Sequence, residues 1–284
     1  MSQQLRQLKT RIRSIEGTWK VTRAMEMVST AKYRSVEKPL DMGRKYFNKV
    51  QAFFANIAGI VEDLQGPYFK TDASHPVALL VITSDAGLCG SYNNHVLRLA
   101  EEFMAKNKGR GVKLFVYGRK GLGFFKKRGL AIERYFPAFH GRVVGNFCEP
   151  ILNSLMKLYD EGWVGEVHVA HTHFVNAMKR TPLVEKFLPI DKPSVVNRSF
   201  ITEFGHDEGA LAEIIPMYLS SRLRLMFLEA LSSEHSARMV AMRSAKDNAK
   251  ELAGDLVLMR NKMRQAMITR EVIEIISSAE ALKG

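Results

Sequence analysis

Cysteine is scarce in this chain. Cys89 and Cys148 are the only two in 284 residues, far apart and without CxxC or Cys/His ligand spacing. That pattern excludes a disulfide framework and a zinc module, and both side chains are expected to be reduced structural thiols. Long apolar runs are missing too. Nowhere do about 18 uncharged apolar residues follow one another, and residues 1 to 20 alternate basic and apolar side chains without a continuous apolar stretch. A cytosolic or peripheral protein is expected, with neither a spanning helix nor a secretory leader. The usual signatures of nucleotide and hydrolase chemistry are also absent: there is no GxGxxG, no GxxxxGK[ST], no GxSxG and no pair of histidines at helical metal-ligand spacing. No catalytic residue, cofactor or metal is expected. Acidic residues fall short of basic ones, 29 against 42, leaving a net charge of +13 that calls for an anionic partner. The excess is densest in residues 1 to 38, which hold nine basic and three acidic side chains.

Proline and glycine are missing from two long stretches, and helix replaces them there. From Ser2 to Lys38 there is no proline and one glycine, Gly17, while Leu5, Leu8, Ile12, Ile15 and Trp19 step by three and four. That spacing predicts a helix with a narrow apolar seam, continued after a kink near 39–43 by a second run through Phe47, Val50, Phe54, Ile57 and Val61. Pro216 is the last proline. Beyond it Met242, Ala245, Ala249, Leu252, Leu256, Met259, Met263 and Ala266 form a seam of period 3.5, a coiled-coil repeat. A helix over 217–284 would be roughly 100 Å long, whereas a compact chain of this size has a radius of gyration of about 19 Å. The two ends are therefore expected to pair as a long antiparallel coiled coil that protrudes from its own domain and leaves apolar positions for partners.

Between the ends the period changes. "VALLVITS", "KLFVYG", "EVHVAHTHF" and "PLVEKFLPI" read as strands, the first two followed by helical candidates over 93–106 and 120–127. Strands alternating with helices predict a βα domain with a largely parallel, Rossmann-like sheet. The expected division is thus an N-terminal helix over 1–64, a linker over 65–76, the central domain over 77–200, a connector over 201–216 and a C-terminal helix over 217–284. His171 and His173 fall on one face of their strand and His168 on the other, which predicts exposed edge-strand histidines rather than a metal site. "GRKGLGFFKKRG" predicts a helix whose Leu122, Phe124 and Phe125 pack under the sheet, not a nucleic-acid surface.

The stretch "SDAGLCGSYN" lies where α/β proteins hold phosphate, after a strand and before a helix. Its glycines, Gly87 and Gly90, are spaced GxxG, no lysine follows to meet a phosphate, and Asp85 would repel an anion. A structural turn is expected, with the glycines permitting positive φ and Ser91 or Asn93 capping the following helix.

Several stretches together resemble the gamma subunit of the F-type ATP synthase, bacterial type. They are "IRSIEGTWKVTRAMEMV" and "KVTRAMEMVSTAKYR" near the start, "TSDAGLCGSYN" and "YGRKG" in the centre, and "ARMVAMRSAKDNAKEL" and "MRNKMRQAMITREVIEI" near the end. As a set they span nearly the whole chain. The resemblance implies a non-catalytic rotor shaft whose paired helices pass through a ring of alpha and beta subunits. Its foot stands on the c-subunit ring beside epsilon, and ion-driven rotation is coupled to ATP synthesis or hydrolysis. It also implies a peripheral protein on the cytoplasmic face of the inner membrane, held there only through the complex. Residue by residue, it implies that Met25 faces an acidic lever of beta and that Arg238, Gln265, Thr269 and Glu271 meet the catalytic ring. Glu203 and Phe204 align loosely with the segment near the c-ring or epsilon. Arg270 departs from the glutamine usual between the threonine and the glutamate, which adds a charge beside that contact. A reading of another class, a basic enzyme or nucleic-acid binder dimerised by its coiled coil, would require a catalytic constellation that the sequence lacks.

Overall fold

The structure is a computed structural model that describes residues 3–58, 67–70, 72–138, 147–191 and 208–281. Among the described residues are five α-helices and five strands: α1 (Gln3–Ala58), β1 (Val77–Ile82), α2 (Tyr92–Lys106), β2 (Val112–Tyr117), α3 (Arg119–Lys127), β3 (Arg134–Phe136), α4 (Glu149–Asp160), β4 (Glu166–Phe174), β5 (Arg180–Leu188) and α5 (Glu208–Ala281). By compactness the chain divides into one unit of Met1–Val28 with Met239–Gly284 and another of Ser29–Arg238, so both division points fall inside the long helices.

In the first unit α1 and α5 pair antiparallel. Leu8 and Ile12 pack with Leu256, flanked by Ile15, Val257 and Met263. Farther along, Glu26 accepts bonds from Lys246 at 2.8 Å and Arg243 at 3.0 Å. Those hydrogen bonds, Lys246's first, hold the Glu26 carboxyl below the usual carboxylate range. The packed stripe of α5 keeps Met242, Ala249, Leu256 and Met263 from the sequence seam, but its alternate positions are Ala253 and Arg260 rather than Leu252 and Met259, which are exposed.

The second unit is a layered α/β domain. Its sheet runs β3-β2-β1-β4-β5, parallel except for β5, which pairs antiparallel with β4. β1 is buried on both faces, as its unbroken VALLVI run requires. Leu79 and Val81 meet Val96, Leu97 and Phe125 from α2 and α3 on one face. On the other, Ala78, Leu80 and Ile82 share a core with Phe54 of α1, Ile151 and Leu155 of α4, and Leu219 and Phe227 of α5. Segments 29–58 and 208–238 thus form a layer of the sheet domain, which explains why compactness divides the long helices.

Several expectations are corrected here. α1 runs as one helix from Gln3 to Ala58 with Pro39 inside it, and beside that proline Val36 and Leu40 are buried with Phe174 and Leu228. α5 starts at Glu208, so residues 208–216 belong to the helix rather than to a connector, and Pro216 stands inside it. β4 is not an edge strand, and His171 is buried, because β5 covers the outer side. β3 and α4 have no counterpart among the expected elements. The helix over 119–127 does bury Phe125 under the sheet, with Leu122 and Phe124 half-buried beside it.

Candidate functional site: a clamped turn and two exposed helix faces

The order of the sheet reverses between β1 and β4, so the turn after β1 stands at the topological switch point where open α/β folds receive ligands. Here the turn is held from three sides. Ser84 N–H donates to Asn93 Oδ1 at 3.0 Å, and Asn93 Nδ2 donates to Ser84 Oγ at 2.8 Å and to Cys89 Sγ at 3.2 Å. The Asp85 carboxylate accepts the Arg119 backbone N–H at 2.8 Å, so the N-terminus of α3 already has its anion. From α5, Arg238 donates through Nε to the Gly87 carbonyl at 3.0 Å and through Nη2 to the Ala86 carbonyl at 2.9 Å, while Ala237 packs with Cys89 and Tyr92. Tyr92 returns a bond from its hydroxyl to the Ala230 carbonyl at 3.1 Å.

These bonds tie the turn to its neighbouring elements, but its details differ from expectation. Gly90 has φ 59°, yet the other left-handed residue is Leu88, φ 61°, not Gly87. A Cβ on Gly87 would meet only the mobile end of Lys120, at 3.4 Å. Leu88 is 58% exposed, so a left-handed backbone presents an apolar side chain to solvent. Ser91 occupies the N-cap of α2 without a side-chain cap bond, and Asn93 ties the helix back to the strand end instead of capping. Cys89 is buried in this network.

Arg238 is only 7% exposed, and its Nη1 pairs with Glu234 at 2.8 Å. Burial raises the Glu234 carboxyl, with the Arg238 charge opposing, and burial lowers His235 to about 4, helped by the Arg238 and Lys32 charges. Sequence reasoning placed Arg238 on a partner-facing surface; its side chain faces inward and is spent. It belongs to "SSEHSAR", a run of mostly polar residues that α5 buries rather than exposes.

The remaining residues lie in the unit formed by the paired helix ends. Met25 is half-buried on α1, next to Glu26 and so across from 243–246 of α5. Gln265 is thus about 30 Å farther along that helix at 1.5 Å per residue. Gln265, Thr269 and Glu271 are exposed, and the Thr269 hydroxyl donates to the Gln265 carbonyl at 3.0 Å. The Arg270 charge pairs along the helix with Glu274 at 3.1 Å. Around them Ile268, Val272, Ile273, Ile275 and Ile276 are all exposed, as are Val21, Met27 and Val28 on α1. The structure thus joins Arg238 to Gly87 and keeps Gln265 with Thr269. Glu203 and Phe204 lie outside the described residues. Among the described residues no group of His, Cys, Asp and Glu is arranged to hold a metal ion, and no helix is long and apolar enough to cross a membrane.

Comparison with known proteins covers nearly the whole chain. A family profile described as "ATP synthase" matches residues 4–282. The chain is 35% identical over 278 residues to the ATP synthase gamma chain of Clostridium botulinum, with 98% of each chain covered. It is 38% identical over 290 residues to that of Chloroflexus aurantiacus, again with 98% of each covered. Among solved structures it resembles a chain of the Euglena gracilis mitochondrial ATP synthase rotor, TM-score 0.69 at 14% identity, covering 93% of this chain and 99% of that one. A chain of the Tetrahymena thermophila ATP synthase central stalk and c-ring gives TM-score 0.59 at 22% identity, covering 79% and 99%. At these identities the structural likeness speaks for the fold.

Proposed function

Because the chain belongs to the ATP synthase gamma family, we propose that it is the central-stalk rotor of an F-type ATP synthase, itself non-catalytic. In this reading it couples ion-driven rotation of a c-subunit ring to ATP synthesis or hydrolysis in a ring of alpha and beta subunits. It sits peripherally on the cytoplasmic face of the inner membrane, beside epsilon and held by the complex. The observation that carries the reading is the end of α5, where five Ile and Val side chains stand in water around Gln265, Thr269 and Glu271. A helix with that much uncovered apolar surface needs a partner.

The contacts divide accordingly. Met25, with Met27 and Val28 exposed beside it, offers beta a weakly hydrogen-bonding surface over which a partner can slide without a deep minimum. Gln265, Thr269 and Glu271 offer the ring polar groups at a second level. Arg238 contributes indirectly by fixing the turn that carries Leu88. Glu203 and Phe204 are assigned to the c-ring or epsilon on sequence grounds alone. At the switch point the absence of a phosphate loop from the sequence agrees with a turn whose neighbours are its own helices. The test is reconstitution of the chain with alpha and beta subunits. A 3:3:1 complex that hydrolyses ATP, and pumps ions once joined to the membrane sector, is expected. Failure to assemble, or nucleotide turnover by the chain alone, overturns the reading.

A further inference from the structure

A cavity of about 430 Å³ lies within the 29–238 unit, between the β4–β5 face of the sheet and helices α1 and α5. Nothing in the rotor reading uses it. Its sheet side is polar: His171 and His173 from β4 and Glu185 from β5. Its helix side is aromatic, with Tyr218 stacked on Phe54 at 4.6 Å and tilted against Phe47 at 5.7 Å.

His171 is the anomaly. It is 1% exposed, lines the cavity, and has no hydrogen-bond partner at either ring nitrogen. Glu185 Oε2 stands 3.5 Å from Nε2, a long ion-pair contact that still comes first among the causes holding the Glu185 carboxyl below the usual carboxylate range. A buried imidazole left so costs stability unless something else meets it. Beyond His171, the cation paired with Glu185 is Arg222 at 4.0 Å, and Arg222 spends Nη2 on the Lys186 carbonyl at 2.8 Å. The other carboxylates facing the cavity are taken. Glu229 binds Arg44 at 2.8 Å and His173 at 2.7 Å, and Asp191 pairs with Lys186.

We infer that this cavity is a binding site for a small organic cation, a primary ammonium on a short apolar body. The ammonium donates to the Glu185 carboxylate and to a ring nitrogen of His171. Its apolar body lies against Phe47 and Tyr218, whose aromatic surface it covers. An anion fits worse, because three carboxylates and one guanidinium line the space. A metal ion lacks its ligand set among the described residues. The site stands independently of the rotor reading, since every group belongs to the sheet domain.

The test is calorimetric titration of the full chain with n-butylammonium chloride, against potassium chloride at equal ionic strength, n-butanol and sodium butyrate. Saturable one-to-one binding is expected, with Kd in the range of ~10⁻⁴ to 10⁻² M for so small a ligand. Glu185→Gln and His171→Phe should each weaken it about tenfold or more while butanol and butyrate bind less well. Glu185 is 40% exposed, so its variant carries the test if His171→Phe fails to fold. Butylammonium heat no greater than that of potassium overturns the proposal in favour of a water-filled cavity. Equal binding of butanol, tighter binding of butyrate, or an unchanged Kd in folded Glu185→Gln overturns it as well.

Discussion

Arg238 spends its fork on two turn carbonyls and its remaining nitrogen on Glu234, so its loss would strand a buried carboxylate and free the turn at once. Removing one member of a buried ion pair typically costs about 3–5 kcal/mol, whereas truncating an exposed residue such as Gln265 stays within about 0.5 kcal/mol. Urea unfolding of the isolated chain should therefore separate Arg238→Ala from Gln265→Ala, although the sequence motif groups the two. Equal midpoints would return Arg238 to the surface. Its neighbour His235 gives a pH dependence of known sign. Burial lowers it to about 4, while an unfolded histidine titrates near about 6.5. Between those values the unfolded chain binds the extra proton, so stability falls as pH drops through that window, by roughly 3 kcal/mol at most. Glu234, raised by burial, slopes the opposite way, its contribution being lost as pH rises through its folded value. Denaturation midpoints at about pH 7 and about pH 4.5 should differ more in the wild type than in His235→Leu, since only the wild type carries this linkage. The same acid sensitivity in both would assign the effect to other groups.

Along the helices, the phase of the seam decides which apolar residues are core. Leu256 and Met259 both lie on the repeat of period 3.5, yet Leu256 is buried against Leu8 and Ile12 while Met259 is exposed. Leu256→Ala should cost about 2–5 kcal/mol, and Met259→Ala no more than about 0.5 kcal/mol, read by amide hydrogen exchange across 242–263. Comparable losses of protection would restore the sequence seam. Period was legible because Met242, Ala249, Leu256 and Met263 recur every seven residues; phase was not, because Ala253 and Leu252 are both apolar and only the partner helix chooses between them. Similar reasoning covers the sheet domain. β1, β2, β4 and β5 announce themselves by β-branched runs between turn residues. β3 is three residues, Arg134–Phe136, too short to show a period. α4 did carry a signal in Ile151, Leu152, Leu155 and Tyr159, all buried on one face. The inward face of "SSEHSAR" was illegible for a different reason: a polar run on a helix reads as solvated until the turn carbonyls that receive it are known.

Taken as a whole molecule, the chain carries +13 and yet leaves Ile273, Ile275 and Ile276 in water near the end of α5. Charge and apolar surface make opposite predictions about salt. An association driven by the basic excess weakens steeply as counterions screen it, as any nucleic-acid contact would. Burial of Ile and Val does not weaken with salt, and strongly hydrated salts strengthen it. The clustering of uncovered apolar side chains beside Gln265, Thr269 and Glu271 places the main docking energy in burial, with charge left to steer the encounter. Ile275→Asp with Ile276→Asp should therefore leave the melting temperature of the isolated chain unchanged, since both side chains are already in water. The same pair should weaken association with the alpha and beta subunits by at least about tenfold, given that fully burying each isoleucine contributes about 1.5–3 kcal/mol. Wild-type association, followed by light scattering, should persist from low salt to about 0.5 M salt, beyond the range in which surface charges interact. Loss of the complex at that salt, or full assembly by the double variant, would show that the basic surface rather than the apolar end of α5 holds the partner.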